Sequence, residues 1–453
     1  MIVMPQIQSI ESLEQLLSRH GCLSGPVLAE LPDGFSPVTN LPVDDPAQPR
    51  CFWCPAGLPA GRSVFLASSR LDQKLEDKPA WFDALRTFAC HAKSNDYILI
   101  TADGTTSDEF VTRIAELFKI PLVRFVPFPT RIDGTWISQA AAPRLAGEHR
   151  CYYYPGSRSG RNRKTAQAEK DRLLMLIASQ VRVLACRKSG NTFASVSERL
   201  AAGLDTRILL EGDLTSAQNA ACLVNAGATA WLLIHDCPHR THPAVRTLDI
   251  PLVQLNEIPV ERYLLHWTRR RVGQWPDQSR KQYLDDLIFG STRAQHDPLA
   301  ALCRILATDR IIATSNLTRD PTPVVCLSEV PLSRLDEMTV FRNHLSRWDF
   351  LPFGIAVDKE RLSSLGARPV VYGSQTDWDT MAPADRPFFQ QANSESGKID
   401  WRQEREWRLV GELDLRQLAN DEAVVFVPTI EDAQTVSSLS RWPVVVLAND
   451  PSG

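Results

Sequence analysis

The sequence predicts an α/β protein with a Rossmann-like parallel sheet, followed by a smaller α+β domain. Three observations carry this reading. Near-continuous apolar runs, among them YILIT (Tyr97–Thr101), PLVRFVP (Pro121–Pro127) and VRVLAC (Val181–Cys186), have the pattern of strands buried on both faces. They alternate with segments of helical period, as in a parallel sheet covered by helices. After Pro259 the alternation stops, and shorter runs rich in Trp, Arg and Pro take over.

Bulk composition narrows the class further. A chain of 453 residues is too long for one ordinary core. Its 43% hydrophobic and 23% charged residues are those of a globular protein. The formal charge of −3 disfavours a general polyanion binder, so nucleic acid is not expected as the primary partner. No apolar run reaches the ~18 residues needed to span a bilayer, so no membrane partner is expected. The N-terminus, MIVMPQIQSIESLEQLL, lacks the basic start and apolar stretch of a secretory signal. Ten scattered cysteines, several inside apolar runs, read as reduced thiols of a cytoplasmic protein.

Three segments follow. Residues 1–62 hold an amphipathic helix near Ile10 to His20 and a proline-rich stretch, Leu31 to Pro59, read as an irregular arm. Residues 63–258 carry the α/β grammar. Strands are expected at Val64–Ser68, Tyr97–Thr101, Pro121–Pro127, Val181–Cys186, Thr206–Leu210 and Thr229–Ile234, with a further apolar run at Ile250–Leu255. Helices are expected at Trp81–Ala92, Glu109–Phe118, Thr165–Ser179, Phe193–Ala201 and Ser216–Asn225, with an irregular interruption from Pro129 to Asn162. Residues 259–453 form the α+β domain, with strand-like runs at Val324–Leu327, Phe353–Val357, Pro369–Tyr372, Trp407–Val410 and Ala423–Val427, and helices at Pro298–Leu306 and Asp358–Leu365.

In such sheets ligands bind outside the carboxyl ends of the strands. Three turns follow strands here: Ser68-Ser69-Arg70, Asp103-Gly104-Thr105 with Asp108, and Lys188-Ser189-Gly190-Asn191-Thr192. Gly104 and Gly190 would let backbone N–H groups approach a phosphate, and the helix starting after Gly190 adds the positive end of its dipole. Thr105, Ser189 and Thr192 can donate hydroxyl bonds. Arg70, Arg161 and Arg163 can clamp phosphate oxygens. Asp103 or Asp108 could accept from a ribose hydroxyl.

The order of these motifs resembles the SLOG superfamily, which includes a DNA-processing branch and the LOG phosphoribohydrolases. Ser68-Ser69-Arg70 stands where that superfamily carries a Ser-Arg pair. Asp103-Gly104-Thr105 with Asp108 is similar to its Gly-rich turn and acid. Arg161-Asn162-Arg163, Lys188 to Thr192, and the Leu223-to-Ala228 helix ending follow in the order of the DNA-processing branch. The resemblance covers Ser63 to Leu255 and implies a small nucleotide-like ligand. The full Pro-Gly-Gly-x-Gly-Thr-x-x-Glu signature of the phosphoribohydrolases is absent.

The second half carries His266-Trp267-Thr268 in an apolar run, Ser328 after VVCL, and Glu404-Arg405-Glu406-Trp407-Arg408. As a strand, the last segment would put Glu404, Glu406 and Arg408 on one face. This order resembles ADP-ribosyltransferase-like folds. That likeness implies NAD as cofactor, with His266 and Thr268 on its ribose and Ser328 in the pocket. Glu406 would be catalytic and Glu404 its alternate. The Glu-x-Glu-Trp-Arg stretch also resembles an uncharacterised bacterial family found near phage-defence genes. The structural alternative is a core histidine and a surface ion-pair ladder.

Cys51-Phe52-Trp53-Cys54 and the 235–242 cluster HDCPHRTH have metal-ligand residue types, but no second pair has suitable spacing, so no metal is expected. SRSGRNRK (157–164) and TRRR (268–271) are basic patches. Tyr152-Tyr153-Tyr154 could stack a base or form a buried strand edge. The leading expectation is a nucleotide-binding sensor joined to an NAD-using effector, with a protein partner or a second copy of the chain as further candidates. Two rivals are a first domain that itself cleaves a nucleotide glycosidic bond, with a partner-binding second domain, and a non-catalytic nucleotide-sensing scaffold.

Overall fold

The apolar runs of the first half become the middle of a sheet, because each places bulky side chains on both faces. β3 (Arg62–Ser68) sends Val64 and Leu66 into one core, and Phe65 and Ala67 into another. A computed structural model describes residues 10–19, 25–35, 51–71, 75–129, 132–142, 147–153, 163–188, 190–211, 214–231, 233, 252–253, 259–315, 318–334, 338–342, 347–392 and 401–447. Arg161, Ser189 and the 235–242 cluster lie outside them, as does most of the 157–164 patch. The chain divides into two units, residues 1–237 with 278–294, and residues 238–277 with 295–453.

The first unit adds β1 (Val27–Leu28), β2 (Phe52–Trp53), β4 (Tyr97–Ala102), β5 (Leu122–Pro127), β6 (Glu148–Tyr153), β7 (Gln180–Ala185), β8 (Thr206–Leu209) and β9 (Thr229–Trp231). Its sheet runs β1-β2-β6-β5-β4-β3-β7-β8-β9. All pairings from β6 through β9 are parallel, and β1 and β2 add antiparallel at one edge. The fold is therefore α/β, as the alternation predicted. The helices of this unit are α1 (Ile10–Arg19), α2 (Pro79–Ala92), α3 (Asp108–Phe118), α4 (Gly134–Ala141), α5 (Arg163–Ile177), α6 (Asn191–Ala201), α7 (Ala217–Asn225) and α8 (Arg280–Phe289). Side chains of α2, α3 and α8 fill one core; those of α5, α6 and α7 fill the other.

Two features depart from the sequence reading. The stretch from Pro129 to Asn162, read as irregular, holds α4 and β6. Tyr152 and Tyr153 are buried on β6, which pairs with β2 on one side and β5 on the other, so they form neither a base-stacking surface nor a strand edge. Helix α8 follows Ile258 in sequence, yet Tyr283, Leu284, Leu287 and Ile288 pack into the core under α2 and α3. Arg113 holds Asp285 through both carboxylate oxygens, at 2.5 and 2.6 Å.

The second unit is built on an eight-stranded sheet: β10 (Leu252–Val253), β11 (Tyr263–Trp267), β12 (Val324–Ser328), β13 (Gly354–Asp358), β14 (Arg368–Pro369), β15 (Glu406–Val410), β16 (Ala423–Val427) and β17 (Val444–Val446). The order is β10-β17-β16-β13-β11-β12-β15-β14, mostly antiparallel, with α9 (Pro298–Thr308) on one face. Asp297 caps α9 by accepting from the Ala300 N–H at 2.8 Å, and Pro298 occupies its first turn. Among the described residues no helix is long and apolar enough to cross a membrane.

Candidate functional site

The strand order reverses its direction of growth between β3 and β7. From β3 the chain adds β4, β5 and β6 on one side, whereas β7, β8 and β9 extend on the other. The turns leaving β3 and β7 therefore head in opposite directions from two neighbouring strands, the position at which open α/β sheets bind ligands. The two turns are tied to each other at their bases. The Ser69 N–H donates to the Ala185 carbonyl at 2.8 Å, and the Ser69 hydroxyl accepts from the Arg187 N–H at 3.0 Å. Ser69 is buried at 6% exposure, so it holds the two turns together, while Arg70 beyond it is exposed.

The β7 turn leads into α6. Gly190 is its N-cap and supplies no side-chain hydrogen bond, unlike Asp133 on α4 or Ser216 on α7. Lys188 and Asn191 are exposed beside it and Thr192 is half-buried. Gly190 has an ordinary φ of −92°. A Cβ added there would meet only the Arg187 carbonyl, at 3.7 Å. Backbone conformation therefore does not demand glycine at this position.

The β4 turn behaves differently from its expected role. Thr105 is buried and its hydroxyl lies 3.3 Å from that of Thr101. Asp103 and Asp108 each accept from the Arg124 guanidinium at 2.7 Å, and Asp108 also accepts from Thr101 at 3.0 Å. Arg124 sits on β5 at 9% exposure, with Thr112 and Glu148 completing its surroundings. Burial alone would lower its pKa, but Asp108 and Asp103 outweigh that and raise it. The two aspartates are thus a structural brace. Within this turn Gly104, at φ +85°, adopts the left-handed backbone that favours glycine, and a Cβ there would lie 2.8 Å from Gln167 Oε1.

Gln167 belongs to the amino-terminal half of α5, which packs over β3 and β4. That stretch brings a group the sequence reading missed. Lys170 donates to the Asp103 carbonyl, and Gln167 donates to Asp171 Oδ1 at 3.2 Å. Among the described residues Gln167 is the one hydrogen-bond partner of the Asp171 carboxyl. Burial raises its pKa from the ordinary 3.8 to about 6, against the Gln167 bond and the charges of Lys170 and Arg70. Arg163 starts α5, but the placement of its side chain lies outside the description.

The raised acid fixes a pH signature. The folded state holds this proton more tightly than the unfolded chain. Stability from Asp171 is then complete below about pH 4 and is lost as pH rises through 6. Asp171→Asn should stabilise the first unit by about 2 kcal/mol at pH 7.5 and by little at pH 4. Urea unfolding at the two pH values checks this; equal effects at both would refute it.

In the second unit, strand alternation separates residues expected to act together. Leu265 lies opposite Ser328, Cys326 opposite Arg408, and Ser328 opposite Glu406, which puts Ser328, Cys326, Glu406 and Arg408 on one face. His266 lies opposite Ile355 and on the other face, that of Leu264 and Ile355. Its Nδ1 donates to the Cys326 carbonyl at 3.0 Å, and burial pushes its pKa down to about 4. Thr268 is buried and donates to the Pro298 carbonyl at 2.8 Å. Ser328 donates to the Glu404 carbonyl at 2.8 Å, which places it as a pin between segments.

The expected strand through Glu404 is also corrected. Trp401–Glu404 is a 3-10 turn, Arg405 has φ +43°, and the strand begins at Glu406. The backbone reverses there so that the Arg405 carbonyl can accept from the Glu329 N–H at 3.0 Å. Glu406 accepts from buried Arg408 through both carboxylate oxygens, at 2.9 and 3.0 Å. Its N–H donates to the Tyr372 hydroxyl at 3.1 Å, and burial pushes the Tyr372 pKa up to about 12.

The Cys51-x-x-Cys54 pair does not converge. Cys51 packs with Leu13 and Trp53, while Cys54 lies in the core with Phe52, its Sγ 3.2 Å from that of Cys151.

No protein-family model matches the chain, and no curated protein does either. Solved structures give slight likenesses. DNA processing protein A of Streptococcus pneumoniae is 12% identical over 48% of this chain and 74% of its own, with a TM-score of 0.28. DNA processing protein A of Helicobacter pylori, described for its single-stranded DNA binding mode, is 14% identical over 45% and 89%, with a TM-score of 0.29. The molybdenum cofactor carrier protein of Chlamydomonas reinhardtii is 14% identical over 38% and 89%, with a TM-score of 0.23. Likeness at this level carries no functional argument.

Proposed function

We propose that the first unit binds a nucleotide-like ligand by its phosphate, in the crevice between the β3 and β7 turns. The observation that supports this best is the start of α6. An uncapped helix N-terminus stands at the point where the strand order reverses, with a glycine that the backbone does not require. Free N–H groups and the helix dipole favour an anion, and the missing side chain lets it come close. Arg70 and Lys188 on the flanking turns supply positive charge. The sequence resemblance to the SLOG superfamily points the same way.

The NAD-using effector expected of the second unit has no comparable support. His266 and Glu406 lie on opposite faces of their sheet, and Glu406 is held by Arg408. The brace formed by Arg124 likewise removes Asp108 as an unpaired acid for glycosidic cleavage.

The test is calorimetric titration of the full chain with inorganic phosphate and with nucleoside monophosphates, beside the matching nucleosides. Phosphate-bearing ligands should bind and the nucleosides should bind far more weakly. Gly190→Ala should leave the melting temperature nearly unchanged, because its Cβ meets no close atom, yet should weaken phosphate binding. Arg70→Ala should weaken it roughly tenfold or more, the worth of a charge-assisted hydrogen bond. Tight binding of nucleosides without phosphate, or full phosphate affinity in Gly190→Ala, would sink the proposal.

A further inference from the structure

With Asp103 and Asp108 both held by Arg124, the acids at the end of β4 are already neutralised by a cation at 2.7 Å. Asp171 is the acid near the same turns without such a partner. Three contacts place it there. Gln167 lies against Gly104, close enough that a Cβ on the glycine would sit 2.8 Å from Oε1. The other end of the same amide donates to Asp171 Oδ1 at 3.2 Å. Lys170, the preceding residue, donates to the Asp103 carbonyl. The carboxyl is therefore oriented by an amide wedged on the β4 turn.

The charged groups acting on this carboxyl are Lys170 from its own helix and Arg70 from the β3 turn. Asp171 has a second oxygen with no partner among the described residues. A carboxylate in that position repels a phosphate but accepts well from hydroxyl groups. A ligand that reaches both Arg70 and Asp171 carries its anion toward Arg70 and α6 and a hydroxyl-bearing part toward α5.

We infer that Asp171 accepts from the hydroxyls of a pentose that carries the phosphate, and so makes the crevice selective for ribose over 2-deoxyribose phosphates. This rests on the phosphate-binding proposal above. The selectivity belongs to the ionised carboxylate, so it weakens as pH falls through about 6.

Ribose 5-phosphate, 2-deoxyribose 5-phosphate and inorganic phosphate, titrated separately into the full chain at pH 7.5 and pH 5, test the inference without assuming a base. At pH 7.5 the ribose compound should bind roughly tenfold tighter than its deoxy counterpart, as expected for a hydrogen bond to a charged group. The ratio should shrink at pH 5. Asp171→Asn should bring it to roughly threefold or less at pH 7.5 while inorganic phosphate binds as well as before or better. The unfolding measurement described above confirms that this variant is folded. Equal affinity of the wild type for the two pentose phosphates overturns the inference and leaves the phosphate site standing. So does an undiminished ratio in Asp171→Asn. Failure of all three probes to bind overturns both proposals together.

Discussion

Arg199→Ala should destabilise the first unit by about 3–5 kcal/mol and lower its melting temperature by roughly 10 °C. Arg199 lies on α6 and is fully buried. Its guanidinium donates to the carbonyls of Met175, Ala178, Ser179 and Asp205 and to the Thr206 hydroxyl. Those carbonyls lie in the last turn of α5, just beyond it, and before β8. A helix end leaves its last carbonyls without intrahelical donors, and here one side chain satisfies several of them. Burial lowers its pKa to about 10, which still leaves it charged at neutral pH. Alanine would leave buried acceptors unpaired and open a cavity. Arg199→Lys should recover only part of the loss, because a single ammonium cannot reproduce the planar fork. Thermal unfolding followed by circular dichroism gives the answer. A fall of less than about 3 °C for the alanine variant would contradict this account.

Arg408→Ala should cost the second unit a comparable amount, about 3–5 kcal/mol. Arg408 is 2% exposed and donates to both oxygens of Glu406, to the Pro387 and Phe389 carbonyls at 2.9 and 2.8 Å, and to Gln390 Oε1 at 2.9 Å. Removing it strands the Glu406 carboxylate beside the Cys326 thiol, whose own pKa burial and Glu406 already push up. The double variant Arg408→Met/Glu406→Leu should recover much of the loss, since the ion pair disappears whole instead of leaving one charge behind. Urea unfolding of the single and double variants settles the matter. An Arg408→Ala chain as stable as the wild type would show that the pair does not hold β15 in place.

Buried arginines show where sequence reasoning reached and where it stopped. Arg124 interrupts the apolar run of β5, a visible anomaly that marks a buried charge needing partners. Its partners, Asp103 and Asp108, stand in a strand-to-helix turn whose residue types suggest a ligand role. The distance that turns them into a brace crosses two strands. Arg199 carried no signal, because a basic residue in the last turn of a helix is common on surfaces. Asp171 sits within a run of charges on α5, and only the approach of Gln167 to Gly104 distinguishes it. Helix α8 lies in a stretch that the sequence assigns to the second half without marking it as a helix. Its apolar face finds its partners about 170 residues earlier in the chain.

The sequence by itself determined the alternation of buried strands and helices, hence the α/β class, and the three turns at the carboxyl ends of strands. Those features depend on side-chain period and turn chemistry, which are local. Only the tertiary structure decided which turns lie side by side, because strand order is not written in any one segment. It decided which acids are spent on arginines and which is left. It also decided that His266 and Glu406 face apart, since register between β11, β12 and β15 assigns each side chain to a face, and a shift of one residue would reverse that assignment.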